Sequence, residues 1–313
     1  MTRFFNTAGP NKPSQHFSID PFKRVNWPEL RTFIDQERYF ILHAPRQTGK
    51  TTLLSAIVEH LNAEGKYEAL YVNVETAQVA RNDFETGNRL IVTQLIDEAS
   101  LFIPDSWLAR EGTQFLSVHS PGTTLGALLA QWAVHSAKPT VLVVDEIDSL
   151  IGDTLVFVLR QLRSGYKNRP RAFPQSVILC GVRDVRDYPI ETSSGKSISG
   201  GSCFNIKAKS LKLGNFSEAE VRELYGQHKT ETGQIFEEPV FSRVMQLSSL
   251  NSRRSFNLQA AARRTLRICP FVVSSAGEEC GALRLTLTSA WQGCKIVCWA
   301  SCDGSSRYSS WCF

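Results

Sequence analysis

Two short stretches carry residue types whose spacing could do chemistry. The first is "ILHAPRQTGKTT", Ile41 to Thr52. There Ala44, Pro45, Arg46, Gln47 and Thr48 lead into Gly49, Lys50, Thr51 and Thr52. The spacing is that of a phosphate-cradling loop, G-x-x-x-x-G-K-[ST], with alanine at the first glycine. In such a loop successive backbone N–H groups curl around an anion, and the following helix N-terminus adds positive potential. Gly49 permits a backbone conformation that side chains resist. Lys50 is expected to reach the β- and γ-phosphates of a nucleotide, and Thr51 to hold Mg²⁺ through its hydroxyl. The first position marks where strand turns into loop. It needs a small side chain more than a missing one, so the methyl of Ala44 is expected to fit.

The second stretch is "VLVVDEID", Val141 to Asp148. Asp145 follows a run of aliphatic residues and is placed at the carboxyl end of a buried strand, where ligands of open α/β sheets collect. Its expected role is to hold Mg²⁺, through water or via Thr51. Glu146 is expected to orient and deprotonate the attacking water. Asp148 reads as a solvated or capping residue without a role. Each stretch alone has a bland reading: a chance G-K-T at a helix start, or acids that end a strand in solvent. Both together, in this order, favour a nucleotide site.

Elements must position these residues. Apolar β-prone runs at 39–44, 69–75, 140–148, 176–182 and 204–213 read as strands. Helical periodicity covers 50–65, where Leu53, Leu54, Ile57, Val58 and Leu61 recur on one face and Gly65 marks the stop. Helices are also expected at 89–103, 123–137 and 153–166. Strands alternating with helices predict a parallel sheet covered on both faces, since runs such as 141–144 and 177–179 suit strands buried on two sides. Ser217 and Glu220 have the spacing of a capping box that opens a further helix. The expected organisation is an irregular lead-in (1–28), an α/β domain (29–213), the start of a helical lid (214–250) and an atypical tail (251–313).

Composition bounds the rest. The chain has 313 residues, 42% hydrophobic and 21% charged, an ordinary globular mixture. Its longest apolar runs are too short to span a bilayer, and the first residues lack the apolar core of a signal peptide, so a cytoplasmic protein without membrane contact is expected. The net charge of +5 is uneven, because Pro239–Gly277 holds six arginines and no acid and leaves the remainder at −1. Of eight cysteines, six crowd the end: Cys269, Cys280, Cys294, Cys298, Cys302 and Cys312.

With "HAPRQTGKTT" and "VLVVDEIDSL" in place, the sequence resembles the AAA-like P-loop ATPases, and is similar to the bacterial branch that includes origin-recognition and signalling (STAND-type) ATPases. "GPNKPSQHFSIDP", "GVRDVRDY" (181–188), "SGGSCFNIK" (199–207) and "LGNFSEAEV" (213–221) fit that likeness, which covers about 4–245. The resemblance implies a five-stranded parallel sheet, ATP as nucleotide, and a helical lid from near Phe216. It also implies a polar sensor at the end of the strand 176–182, where Arg183 is the first polar candidate, to touch the γ-phosphate or to pair with a carboxylate instead. Arg160, Arg163, Arg169 and Arg171 are candidate arginine fingers for a neighbouring subunit, against a plain reading as solvated surface.

The likeness fades after about Met245. The tail then reads three ways: a basic patch for nucleic acid, a metal site built on the helical spacing of Cys294, Cys298 and Cys302, or an irregular extension of the kind an out-of-frame translation gives. For the whole chain the leading expectation is a Mg-dependent ATPase acting as a conformational switch, with a homo-oligomer or a protein client as partner. A nucleotide-binding module with little hydrolysis and a nucleic-acid-associated ATPase are the alternatives.

Overall fold

The structure, a computed structural model, describes residues 3–6, 9–120, 122–184, 189–193, 197–199, 204–234, 236 and 238–250, and three strands between 284 and 311. Contacts divide the chain into two units, Pro21–Gly214 and Met1–Asp20 with Asn215–Phe313. No helix among the described residues is long and apolar enough to cross a membrane.

The unit Pro21–Gly214 is built on β1 (Tyr39–His43), β2 (Glu68–Asn73), β3 (Thr140–Asp145), β4 (Ser176–Gly181) and β7 (Lys207–Lys212). They form one five-stranded sheet in the order β2-β3-β4-β1-β7, and every pairing is parallel. This is the sheet expected from the aliphatic runs. All six residues of β3 and all six of β4 are buried, as strands covered on both faces must be.

Alternate strand residues feed opposite cores, the period-two rule of a strand. Phe40, Leu42, Val141, Val143 and Ile178 pack under α1 (Trp27–Asp35) and α2 (Lys50–Ala63). Tyr39, Ile41, Leu142, Val144, Val177 and Leu179 pack on the other side. There they meet α3 (Phe84–Phe102), α4 (Trp107–Val118), α5 (Thr124–His135) and α6 (Gly152–Gly165). α1 and α4 escape the periodicity reading, yet both begin at side-chain caps. The Asn26 carboxamide oxygen accepts from Glu29 N at 3.3 Å, and the Ser106 hydroxyl accepts from Ala109 N at 3.2 Å. A two-stranded antiparallel pair, β5 (Pro189–Glu191) with β6 (Ser197–Ser199), was not expected from the sequence.

In the other unit α7 (Glu218–Thr232) opens with the full capping box, Ser217 and Glu220 bonding each other's backbone, and Gly233 closes it at φ 74°. With α8 (Glu238–Leu250) and the N-terminal segment it buries Phe5, Phe17, Ile19, Val221, Leu224, Tyr225, Val240, Phe241 and Val244. The tail read as irregular contains three strands, β8 (Arg284–Ala290), β9 (Gly293–Cys302) and β10 (Ser305–Trp311), in one antiparallel sheet. Cys294, Cys298 and Cys302 therefore stand on a strand, where spacing of four does not form a helical face. Arg253, Arg254, Arg263, Arg264, Arg267, Cys203, Cys269, Cys280 and Cys312 lie outside the described residues.

Candidate nucleotide site

The parallel order brings three strand ends to one edge of the sheet: His43 of β1, Asp145 of β3 and Gly181 of β4. The loop Ala44–Gly49 leaves β1 at that edge and feeds α2. Ala44 is fully buried and its N–H donates to Gly181 O at 3.2 Å, so the ladder continues one residue into the loop. Its methyl belongs to the apolar cluster under α1 and α2, which is why alanine fits where the motif has glycine. Gly49 takes φ 86°, a left-handed conformation that costs a side-chain residue about 1 kcal/mol or more. Gln47 is held left-handed too, at φ 60°. The Thr48 hydroxyl donates to Pro45 O at 2.7 Å and stiffens the loop from within. Arg46 and Gln47 are exposed at its tip.

Lys50 is only 6% exposed. Its ammonium donates to Ala44 O at 3.0 Å and Pro45 O at 3.2 Å. Among the described residues no carboxylate closes an ion pair with it. A buried cation held by neutral carbonyls is costly unless an anion meets it. Beside it, the first N–H groups of α2 have no partner within the helix.

Asp145 is fully buried and is the hub of the site. Its Oδ2 accepts from the Thr51 hydroxyl at 2.7 Å and from the Tyr71 phenol at 3.0 Å. Its Oδ1 accepts from Glu146 N at 2.9 Å. Loop, buried lysine and acidic strand end thus converge, although Thr51 and Asp145 are 94 residues apart in the chain.

Residues 34–188 match the family model described as an AAA domain. The segment is an AAA-type P-loop domain. No curated protein matches the chain. Three solved structures are similar to it. One is a DNA replication initiation factor, 12% identical, TM-score 0.46, with 80% of this chain and 62% of that chain covered. Another is Cdc6p from Pyrobaculum aerophilum, 15% identical, TM-score 0.40, with 64% and 46% covered. The third is the replication initiator DnaA bound to AMPPCP and single-stranded DNA, 12% identical, TM-score 0.45, with 80% and 61% covered. The match spans less than two thirds of the length of each of these.

Within the AAA domain Glu146 directly follows β3, and it is half-buried in a left-handed conformation at φ 55°. Burial first, then the charges of Asp145 and Asp148, raise its carboxyl above the usual range, while Lys50 pulls the other way. Burial, then the Asp145 charge, push the Tyr71 phenol up and keep it a donor. The same two causes, in the same order, push the Cys180 thiol well up.

Arg183 lies two residues past β4 and its side chain is exposed. Asp148, assigned no role from the sequence, accepts from Val182 N at 3.3 Å. A Cβ on Gly181 would stand 2.7 Å from Asp148 Oδ1, so this carboxylate fills the space beside the strand end that carries Arg183. The candidate fingers separate. Arg169 stacks over Tyr166 at 3.4 Å and over Tyr39 at 5.1 Å, within its own domain. Arg160, Arg163 and Arg171 are exposed.

Two residues at the site were missed. Tyr71 comes from the neighbouring strand β2, and no local motif marks it. Arg24 sits in a 3-10 turn, Pro21–Arg24, ahead of α1. Its guanidinium donates to Thr48 O in the loop and to Gly214 O at the end of the unit. The donor set of Thr51 and Asp145 is all oxygen, a hydroxyl and a carboxylate, which suits a hard cation such as Mg²⁺. With its proton committed to Asp145, the Thr51 hydroxyl still has lone pairs for such an ion. Among the described residues there is no group of three or more His, Cys, Asp and Glu able to hold a metal.

Proposed function

We propose that the AAA domain binds ATP with Mg²⁺ and hydrolyses it slowly, using the cycle to switch conformation. The observation that carries the reading is the 2.7 Å hydrogen bond from Thr51 to Asp145. It joins the Gly49–Lys50–Thr51 loop to the acidic end of β3, which supports one shared nucleotide site.

The residues divide the work. The N–H groups of Arg46–Gly49 and of the first turn of α2 enclose the β-phosphate, and the Lys50 ammonium exchanges carbonyl partners for phosphate oxygens. Thr51 and Asp145 hold Mg²⁺, which neutralises charge on the phosphates when bound. Glu146 accepts a proton from water as the water oxygen bonds to the γ-phosphorus. The bond from that phosphorus to the bridging oxygen breaks, giving ADP and inorganic phosphate. The raised carboxyl of Glu146 makes it a stronger base than an ordinary glutamate. Arg183 contacts the γ-phosphate as the sensor at the end of β4.

Glu146→Gln tests the assignment. The variant should bind ATP within about threefold of the parent and lose turnover by about 100-fold or more, the usual worth of a general base. Turnover equal to the parent's would refute the role of Glu146.

A further inference from the structure

The outer face of α6 carries cations and no acid. From Thr154 to Gln175 the chain holds Arg160, Arg163, Lys167, Arg169 and Arg171, without one Asp or Glu. α6 buries Leu155, Val158, Leu159 and Leu162, and runs directly into the 3-10 turn Tyr166–Asn168. Arg160, Arg163 and Lys167 follow at i, i+3 and i+7, one face of a helix, and all three are exposed. They span about 10 Å at a rise of about 1.5 Å per residue. On the flank, α5 touches α6 through Gly126 N, which donates to Gln161 Oε1 at 2.9 Å, and α5 holds no acid either.

The turn after α6 extends this face. Ala172 N donates to Asn168 O at 2.9 Å and keeps the exposed Arg171 at the turn. The Arg169 guanidinium lies over the Tyr166 ring at 3.4 Å, and its Nη1 is buried without a hydrogen-bond partner among the described residues. Tyr166 meets Tyr39 edge-on at 5.0 Å, which brings the exposed Arg38, at the start of β1, to the same border. Among the described residues no carboxylate pairs with Arg38, Arg160, Lys167, Arg169 or Arg171. The negative end of the helix dipole favours Arg163 in the last turn of α6. That effect fades within a turn and leaves Arg160 and Arg171 unexplained. A helix face built for solvent alone gains from acids three or four residues from its cations, and here there are none.

We propose that α6, the turn after it and Arg171 bind the phosphodiester backbone of a nucleic acid. Four of the five cations are arginines, whose planar fork pairs two phosphate oxygens at once. Between Thr154 and Gln175 no large apolar side chain is among the exposed ones, so the face has nothing to insert into a bilayer. Phosphate contacts fix register and carry no sequence information, so the face is indifferent to base sequence. α6 starts beyond Asp145 and runs back to the edge where β4 begins, away from the edge that holds Lys50 and Asp145. Binding there does not depend on the ATP reading.

The test is fluorescence anisotropy of a labelled DNA duplex of about 20 base pairs, titrated with the full chain at graded NaCl and without nucleotide. The variants are Arg160→Gln, Arg163→Gln and Lys167→Gln combined, and Lys167→Gln alone. All three positions are exposed, and circular dichroism melting checks the fold of each variant. The parent should bind the duplex, and more weakly as salt rises. The triple variant should bind at least about tenfold more weakly, and its slope of log affinity against log salt should be shallower by about 3, about one per phosphate contact. Lys167→Gln alone should make the slope shallower by about 1. A duplex of scrambled sequence should bind the parent within about threefold of the first. No binding by the parent, or a triple variant with the parent's affinity and slope, would overturn the proposal. If the triple variant does not fold, an unchanged slope in Lys167→Gln overturns it. Polyglutamate that displaces the duplex as well as unlabelled DNA does would assign the face to an acidic protein instead. Binding to phosphatidylserine vesicles but not to the duplex would assign it to a membrane, and either result overturns the nucleic-acid assignment.

Discussion

Lys50 is the residue whose position explains the loop. The motif predicts that it faces phosphates, and the structure buries it against Ala44 O and Pro45 O. Ala44 is the departure from the motif, and its place in the core shows why it is tolerated. Ala44→Gly, which restores the motif, should therefore lower stability by about 1 kcal/mol through lost burial and added chain entropy. ATP affinity should change by less than about threefold, read by urea unfolding and calorimetry on the same preparation. Gly49, Lys50, Thr51, Asp145 and Glu146 were legible because each belongs to a local string with a fixed spacing. Tyr71 was not, because its role depends on the register that sets β2 against β3. Asp148, read as a solvated or capping residue, accepts from Val182 N just past β4, a partner that only the fold supplies.

At the scale of elements, the aliphatic runs and the helical spacing of α2 predicted the sheet that was found. β3 ends at Asp145 rather than at 148, because Glu146 turns left-handed and a 3-10 turn follows at Ile147–Ser149. The pair β5–β6 and the helices α1 and α4 were missed. Short elements carry few periods, and α1 is signalled mainly by its cap and the proline at its first turn. The turn before α1 matters to the site through Arg24, which ties Thr48 O to Gly214 O. Hydrogen bonds from a charged donor are worth about 1.5–3 kcal/mol. Arg24→Ala should loosen the loop and weaken ATP binding by about tenfold, while Arg24→Lys, which keeps one donor, should lose less. Equal losses in the two would exclude charge as the cause and assign the effect to the two-armed guanidinium bridge.

At the scale of the whole molecule, two cores on opposite faces of one sheet hold the AAA domain, and a third lies in the helical unit. An ion-pair network joins the elements behind the site. Arg31 and Lys66 both pair with Asp35, and Arg31 also bonds Glu64 at the end of α2. Burial raises the Asp35 carboxyl, but bonds from Lys66, Tyr67 and Arg31 outweigh it and bring its pKa from 3.8 to about 2. A carboxyl lowered on folding stabilises above its ordinary pKa and stops doing so as pH falls through the lowered one. The stability difference between the parent and Asp35→Asn should therefore be full above about pH 4 and vanish towards about pH 2. Urea midpoints across that range measure it, and a constant difference would exclude the mechanism. The tail was the least legible part, since Cys, Ser and Trp at irregular spacing carry no clear period.

The most direct measurement is calorimetric titration of the full chain with ATP and Mg²⁺, beside Lys50→Ala. Saturable binding by the parent, weakened at least about 100-fold in the variant, is the predicted result, because charged hydrogen bonds to phosphate are worth about 1.5–3 kcal/mol each. No binding by the parent, or equal binding by the variant, would contradict a phosphate site at this loop.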